Sequence, residues 1–337
     1  MSALGTRGGR LAVVTAAILV VVIGLAAAGI FDGGSVRPAK VGRPSAAVTD
    51  SPHGGVGAAT AKVIARSVGA RPADTWAEIG ARELIDDAFE RYGYFPLMQE
   101  FIARGEGRRI HSANIIALKE GQTADRLVVG AHYDSAEVGQ GYLDNATGIG
   151  LLLEVAARVK HVSTPYTIVF VAFGAGESGR LGARHYVKTL TDVDRKATIG
   201  MIDLAAPAGG DTLTVMSRPG GATWLRDDAL SAAEHARVPL VTSPKGRGRP
   251  AGTVKAPGDD APFAARGIPT AVFSAVSWGA GGRPRMDATL DGRPLWGTPR
   301  DTVAYVDRHL PGRVRTQLRH MSLLLETLLT SELERRP

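Results

Sequence analysis

The chain contains no cysteine. That excludes a disulfide framework, a thiolate metal site and a cysteine nucleophile, although it fixes no compartment. Aromatic residues supply only 6% of the sequence, and no basic stripe is interleaved with them. A nucleic-acid surface of the stacking kind is therefore not expected. No Gly-x-Ser-x-Gly elbow occurs, which argues against a serine hydrolase. No Walker or dinucleotide fingerprint follows a strand pattern either. The net charge is +7, with arginine outnumbering lysine. A solvated, arginine-rich surface accounts for it without an anionic partner.

What is present divides the chain. Its 337 residues, 44% of them hydrophobic, suffice for one sizeable domain plus an extension. Residues 1–10 carry Arg7 and Arg10 and precede Leu11–Phe31, an apolar run interrupted only by Thr15, Gly24 and Gly29. A bilayer-spanning helix needs about 20 residues, and a secretory signal has a shorter apolar core. An uncleaved anchor is the preferred reading, and cleavage after Ala26-Ala27-Ala28-Gly29 is the alternative, which would release a secreted protein. The positive charges ahead of the span place residues 1–10 in the cytoplasm and the bulk of the chain outside it. Residues 32–55, rich in Gly, Pro, Ser and Ala, read as a flexible linker, and residues 56–337 as the folded domain.

Within that domain, Ala58–Val68 and Thr75–Tyr92 have helical periodicity, broken by Gly69-Ala-Arg-Pro72. Pro96–Ile102 and Ser112–Leu118 read as strands, and this opening part reads as scaffold. From residue 126 to 206 strands and helices alternate, with strands 126–130, 167–173 and 199–204 and helices from 146 and from about 179. Alternation of this kind argues for a sheet covered on both faces. Further on, Leu213–Met216 and Gly267–Ser274 read as strands, Thr223–Ala236 and Asp259–Arg266 as helices, and Val314–Leu333 as an amphipathic closing helix whose Leu318, Leu325 and Leu329 face the sheet. Lys245–Pro250 reads as a basic, mobile loop.

The chemistry concentrates in Ala131–Gly148, AHYDSAEVGQGYLDNATG. His132 and Asp134 leave the end of a buried strand, and Asp144 follows ten residues after Asp134. An imidazole and two carboxylates at a strand's carboxyl end suit a metal ion. A second reading needs no metal: a strand-end histidine, with Asp144-Asn145 capping the next helix. Glu177, at the end of the strand 167–173, has a similar alternative as an acidic residue near a helix start. His185 reads as a packing or surface residue.

The order and spacing of these blocks resemble the zinc exopeptidases of the leucyl aminopeptidase and glutamate carboxypeptidase II type, metallopeptidase family 28 of clan MH. The matching segments are GAHYDS at 130–135, DNATG at 144–148, FGAGESGRLGARHY at 173–186, MIDLAA at 201–206, GDDAPF at 258–263 and GTPRDT at 297–302. The resemblance spans about residues 56–330. It implies a three-layer α/β/α sandwich with a mixed, mostly parallel central sheet, here preceded by one transmembrane helix. It also implies two zinc ions sharing Asp144. His132 would hold one ion and Glu177 the other, with Asp134 orienting the histidine from behind. Residues 279–297 correspond to a variable lid.

Three positions depart from the pattern. Gly176 stands where the family has its general base, Ala205 where it has an aspartate ligand, and Gly297 where it has a late histidine ligand; Asp260 also replaces a histidine. Each ion would keep two of three protein ligands, too few for a tight catalytic zinc site, and glycine offers nothing in place of a base. Asp203, Asp259, Asp260 and Asp301 lie near the vacated positions in sequence. Asp203 is the favoured substitute, because two positions apart on a strand keeps the same face. The expectation is a membrane-anchored, aminopeptidase-like domain with little or no peptidase activity, binding a peptide or protein through the old cleft; the alternative is a working zinc aminopeptidase using Asp203. Without metal, His132 is expected to be a protonated partner of the surrounding carboxylates.

Overall fold

A computed structural model describes residues 46–244, 250–254, 256–278 and 288–334. The readings of residues 1–10, of the apolar run 11–31, of loop residues 245–249 and of lid residues 279–287 lie outside these. Among the described residues no helix is long and apolar enough to cross a membrane.

The architecture follows from one fully apolar strand. β4 (Tyr166–Phe173) is buried along its whole length, as a strand covered on both faces must be. It pairs in parallel with β3 (Thr123–His132), which pairs in parallel with β5 (Thr198–Leu204). On the other side of β4, the antiparallel hairpin of β1 (Leu97–Gly105) and β2 (Arg108–Lys119) extends the sheet. Beyond β5 come β8 (Thr270–Val276), β6 (Thr212–Met216) and the two-residue β7 (Leu240–Val241). The order of the eight strands is β1-β2-β4-β3-β5-β8-β6-β7.

Helices cover both faces, and the strands' alternation decides which residue meets which layer. Leu127 and Val129 join the larger core with helices α1 (Gly55–Ser67), α2 (Trp76–Arg91), α3 (Thr147–Val159), α6 (Trp224–His235) and α9 (Arg313–Thr330). Val128 faces the opposite core, built with Ala183, Tyr186 and Val187 of α4 (Leu181–Thr189) and Phe263 of α7 (Ala261–Ala264). This is the expected three-layer α/β/α arrangement. Leu318, Leu325 and Leu329 are buried in it. Two short helices, α5 (Asp192–Ala197) and α8 (Val303–His309), were not foreseen; neither is long enough to display a period.

One boundary moves. Part of the segment read as a linker is folded: Ala46–Thr49 form a helical turn and Val48 is buried. The backbone N–H groups of Gly54 and Gly57 donate to the buried Glu154 carboxylate at 2.7 and 2.6 Å. A buried charge must be compensated, and Glu154 draws these donors in together with Arg158 at 2.9 Å and Ser322 at 2.7 Å. Gly54, inside the segment read as a linker, is needed for close approach: a Cβ there would lie 2.2 Å from the Arg319 nitrogen.

Candidate metal site

The site lies at the carboxyl ends of β3 and β4. His132 ends β3, and its Nε2 is 3.3 Å from Asp144 Oδ1. Asp144 sits in the turn Tyr142–Ala146, outside helical geometry at φ −119° and ψ 92°. Glu177 enters from the loop after β4. One donor atom each from His132, Asp144 and Glu177 lie within 4.8 Å of one another. For Asp144-Asn145 the two sequence readings separate by residue. Asn145 is the cap, its Oδ1 accepting from Gly148 N–H at 3.2 Å and from Ala206 N–H at 3.0 Å. Asp144 turns to the histidine instead.

Asp134 is fully buried behind His132. It accepts from the N–H groups of Gly176 at 2.7 Å and Glu177 at 3.0 Å, and Oδ1 is 3.5 Å from His132 Nδ1. It therefore ties the 174–180 loop down onto the histidine. Burial works against a charged His132, but hydrogen bonds and charge from Asp134 and Asp144 outweigh it and hold the imidazole pKa well above the usual value. In the absence of metal these carboxylates favour the protonated imidazole.

Arg71 carries more of the site than a turn residue should. It is fully buried, and its guanidinium donates to the carbonyls of Tyr133 at 2.5 Å, Gln140 at 2.7 Å and Gly141 at 2.9 Å. Burial lowers its pKa to about 10, against the pull of Asp134, Asp301, Asp144 and Glu177. One buried cation thus clamps the whole 133–141 loop and offsets the acids around it. The signal in the sequence was an arginine inside an otherwise small and apolar turn, GARPA.

The four candidate substitutes have different fates. Asp301 is buried and accepts from Leu143 N–H at 2.6 Å and Asp144 N–H at 3.1 Å; burial raises its carboxyl to about 7. It holds the Asp144 turn rather than a metal. Asp260 forms a bidentate pair with Arg218, both contacts at 2.5 Å. Asp203 is buried and faces that same loop, accepting from Asp260 N–H at 3.2 Å. It is not among the three residues whose donors converge. Burial, then the charges of Asp259 and Asp260, push its carboxyl well above the usual range. Asp259 is buried with Oδ1 unpartnered. His185 stacks on Phe101 with ring centroids 5.1 Å apart, a packing role. Ala205 packs beside Met216, Val254 and Val272.

The vacated positions are also informative. A Cβ on Gly176 would lie 2.4 Å from His132 Cβ, 2.7 Å from its Cγ and 3.1 Å from Asp134 Oδ1. No side chain fits there unless the loop moves. Gly297 has open space around it but sits at φ 62°. In number and type, one imidazole and two carboxylates fit a single ion of the zinc class. The 3.3 Å between His132 and Asp144 is close to the roughly 3.3 Å edge of a tetrahedron with ~2.0 Å bonds. They do not furnish three protein ligands to each of two ions.

An eight-stranded mixed sheet between helical layers, with histidine and carboxylates converging at its strand ends, defines a domain of the zinc-exopeptidase fold. Residues 114–322, well over half of the chain, match the peptidase family M28 model, and the chain belongs to that family. The alkaline phosphatase isozyme conversion protein of Escherichia coli is 29% identical over 80% of this chain and 88% of its own length. Among solved structures, a zinc aminopeptidase from Bacillus subtilis superposes with a TM-score of 0.68 at 18% identity, covering 82% of this chain and 94% of that one. A glutaminyl cyclase from an Acidobacteriales bacterium reaches 0.67 at 18% identity, covering 88% and 98%. The fold alone therefore accommodates more than one chemistry.

Proposed function

We propose that this aminopeptidase-like M28 domain binds peptide or protein termini in the cleft at His132, Asp144 and Glu177 without turning them over. The observation that carries this reading is the closed space at Gly176. A general base contributes about 10²–10⁴-fold to such reactions, and here there is neither a carboxylate at that position nor room for one. The carboxylates of Asp144 and Glu177 at the strand ends are suited to a cationic terminal amine. One zinc ion fits His132, Asp144 and Glu177; when bound it would polarise a carbonyl as a Lewis acid. His132 and Asp144 orient the cleft, and Asp134 keeps the histidine turned toward it. Anchoring through residues 11–31, with the domain outside the cytoplasm, belongs to the same proposal and rests on the apolar run.

The test is metal content together with turnover. Residues 46–337 equilibrated with zinc and desalted should retain at most one ion per chain, and leucine p-nitroanilide should be hydrolysed no faster than in buffer. A second reading, a working aminopeptidase with substitute ligands, draws on Asp203 and on the unpartnered Oδ1 of Asp259. Zinc-dependent hydrolysis that disappears in Asp203→Asn would establish it and sink the first. Protease accessibility of the domain on intact cells checks the orientation.

A further inference from the structure

α2 and the β1–β2 hairpin line a groove of about 930 Å³. Small-molecule sites span roughly 300–1,000 Å³. Its apolar lining is Ile79, the buried Phe101, and the exposed Ile102 and Trp76, the last 87% exposed. The floor is Tyr133 and Glu78. Glu78 is satisfied there: it accepts from Ser112 Oγ, from Asp74 N–H at 2.6 Å and from Ala175 N–H at 3.3 Å. Burial raises its carboxyl to about 7.

Arg82 is the odd member. It lines the groove, and its Nε is buried with no hydrogen-bond partner. Asp86, one turn along α2, feels its charge, yet Arg82 forms no ion pair among the described residues. The residue as a whole is only partly buried, so the desolvation penalty falls on one N–H, and the rest of the planar fork suits a carboxylate or a similar anion in the groove. Asp74 and Glu100 also line the groove, and Asp74 is paired with Arg108 at 2.9 Å.

We propose that this groove is a second ligand site, separate from the His132 cleft, for a small molecule with an aromatic body and a carboxylate. The ring lies against Trp76 and the Phe101–His185 stack, and the carboxylate pairs with Arg82. The Glu78 link to Ala175 joins this groove to the loop that closes over Gly176.

The probes are 3-phenylpropionate and its neutral amide, titrated into the described domain while the Trp76 indole N–H signal is followed by NMR. The acid should bind about tenfold or more tighter than the amide, the value of one charge-assisted hydrogen bond. Arg82→Gln should erase that preference and leave the weak amide binding intact. Asp144→Asn, in the other cleft, should change neither. Equal affinity for acid and amide in the unaltered protein would overturn the proposal, without depending on any variant's folding. So would the absence of any Trp76 response up to about 10 mM, a concentration above a millimolar Kd, or loss of acid binding in Asp144→Asn.

Discussion

Gly176 and Gly297 are the two glycines that the resemblance sets at functional positions, yet their surroundings differ. At Gly176 the loop lies against His132, with a Cβ excluded at 2.4 Å, while a Cβ at Gly297 would meet nothing within 4 Å among the described residues. The first vacancy has been taken up by packing: Asp134 draws the Gly176 and Glu177 N–H groups inward. The second remains space. A lost residue in a loop held by buried hydrogen bonds changes the shape of the site, whereas one in an open turn changes only its chemistry. Restoring a glutamate at 176 is therefore a backbone problem, and restoring a histidine at 297 is a matter of tolerating φ 62°.

The comparison depends on what holds the 174–180 loop down, so the strongest way to break it is Asp134→Ala. Two buried N–H groups lose their acceptor and His132 loses a partner. The expected loss is about 3–5 kcal/mol, read by urea denaturation. A loss under about 1 kcal/mol, the ordinary surface range, would mean the loop is held elsewhere. Next comes the direct contrast. Gly176→Ala should cost about 1–3 kcal/mol from overpacking, and Gly297→Ala about 1 kcal/mol from its left-handed backbone. Equal costs would remove the distinction.

The smallest effect is on pH. Asp301, four residues beyond Gly297, and Glu78, beneath Ala175, both have folded-state values raised to about 7 from ordinary carboxylate values. Between pH 5 and 7 the folded chain then holds more protons than the unfolded one, so stability falls as pH rises through that window. Metal-free protein should melt at a higher temperature at pH 5 than at pH 8. Asp301→Asn should flatten the slope on the Gly297 side without altering the Glu78 contribution. A slope of the opposite sign would contradict both assignments.

Much of this molecule was readable from local pattern. The all-apolar TIVFVAF became the central buried strand, and the His132 and Asp144 spacing placed both residues on one cleft. Asp134 was foreseen behind the histidine, and it is there, although its hydrogen bonds go chiefly to the loop of Gly176. Other features had no local signal. Arg71 is separated from the carbonyls it clamps by 62 to 70 residues. Asp301 reads as a spare ligand in the sequence, but in the fold its two carboxylate oxygens accept from the N–H groups of Leu143 and Asp144. The end of the linker segment read as slack because the N–H that Gly54 donates to Glu154 is spent 100 residues away.

Sequence alone determined the sheet's central strands and the residues that meet at their ends. These follow from periodicity and residue type, which act within a few positions along the chain. Only the tertiary structure decided that position 176 is closed while 297 is open among the described residues, that Asp301 and Asp260 are already bonded, and that Arg82 Nε is buried without a hydrogen-bond partner. Those outcomes depend on which distant atoms occupy the space around each residue. Burial and hydrogen bonding, unlike hydrophobic period, are properties of the packed whole.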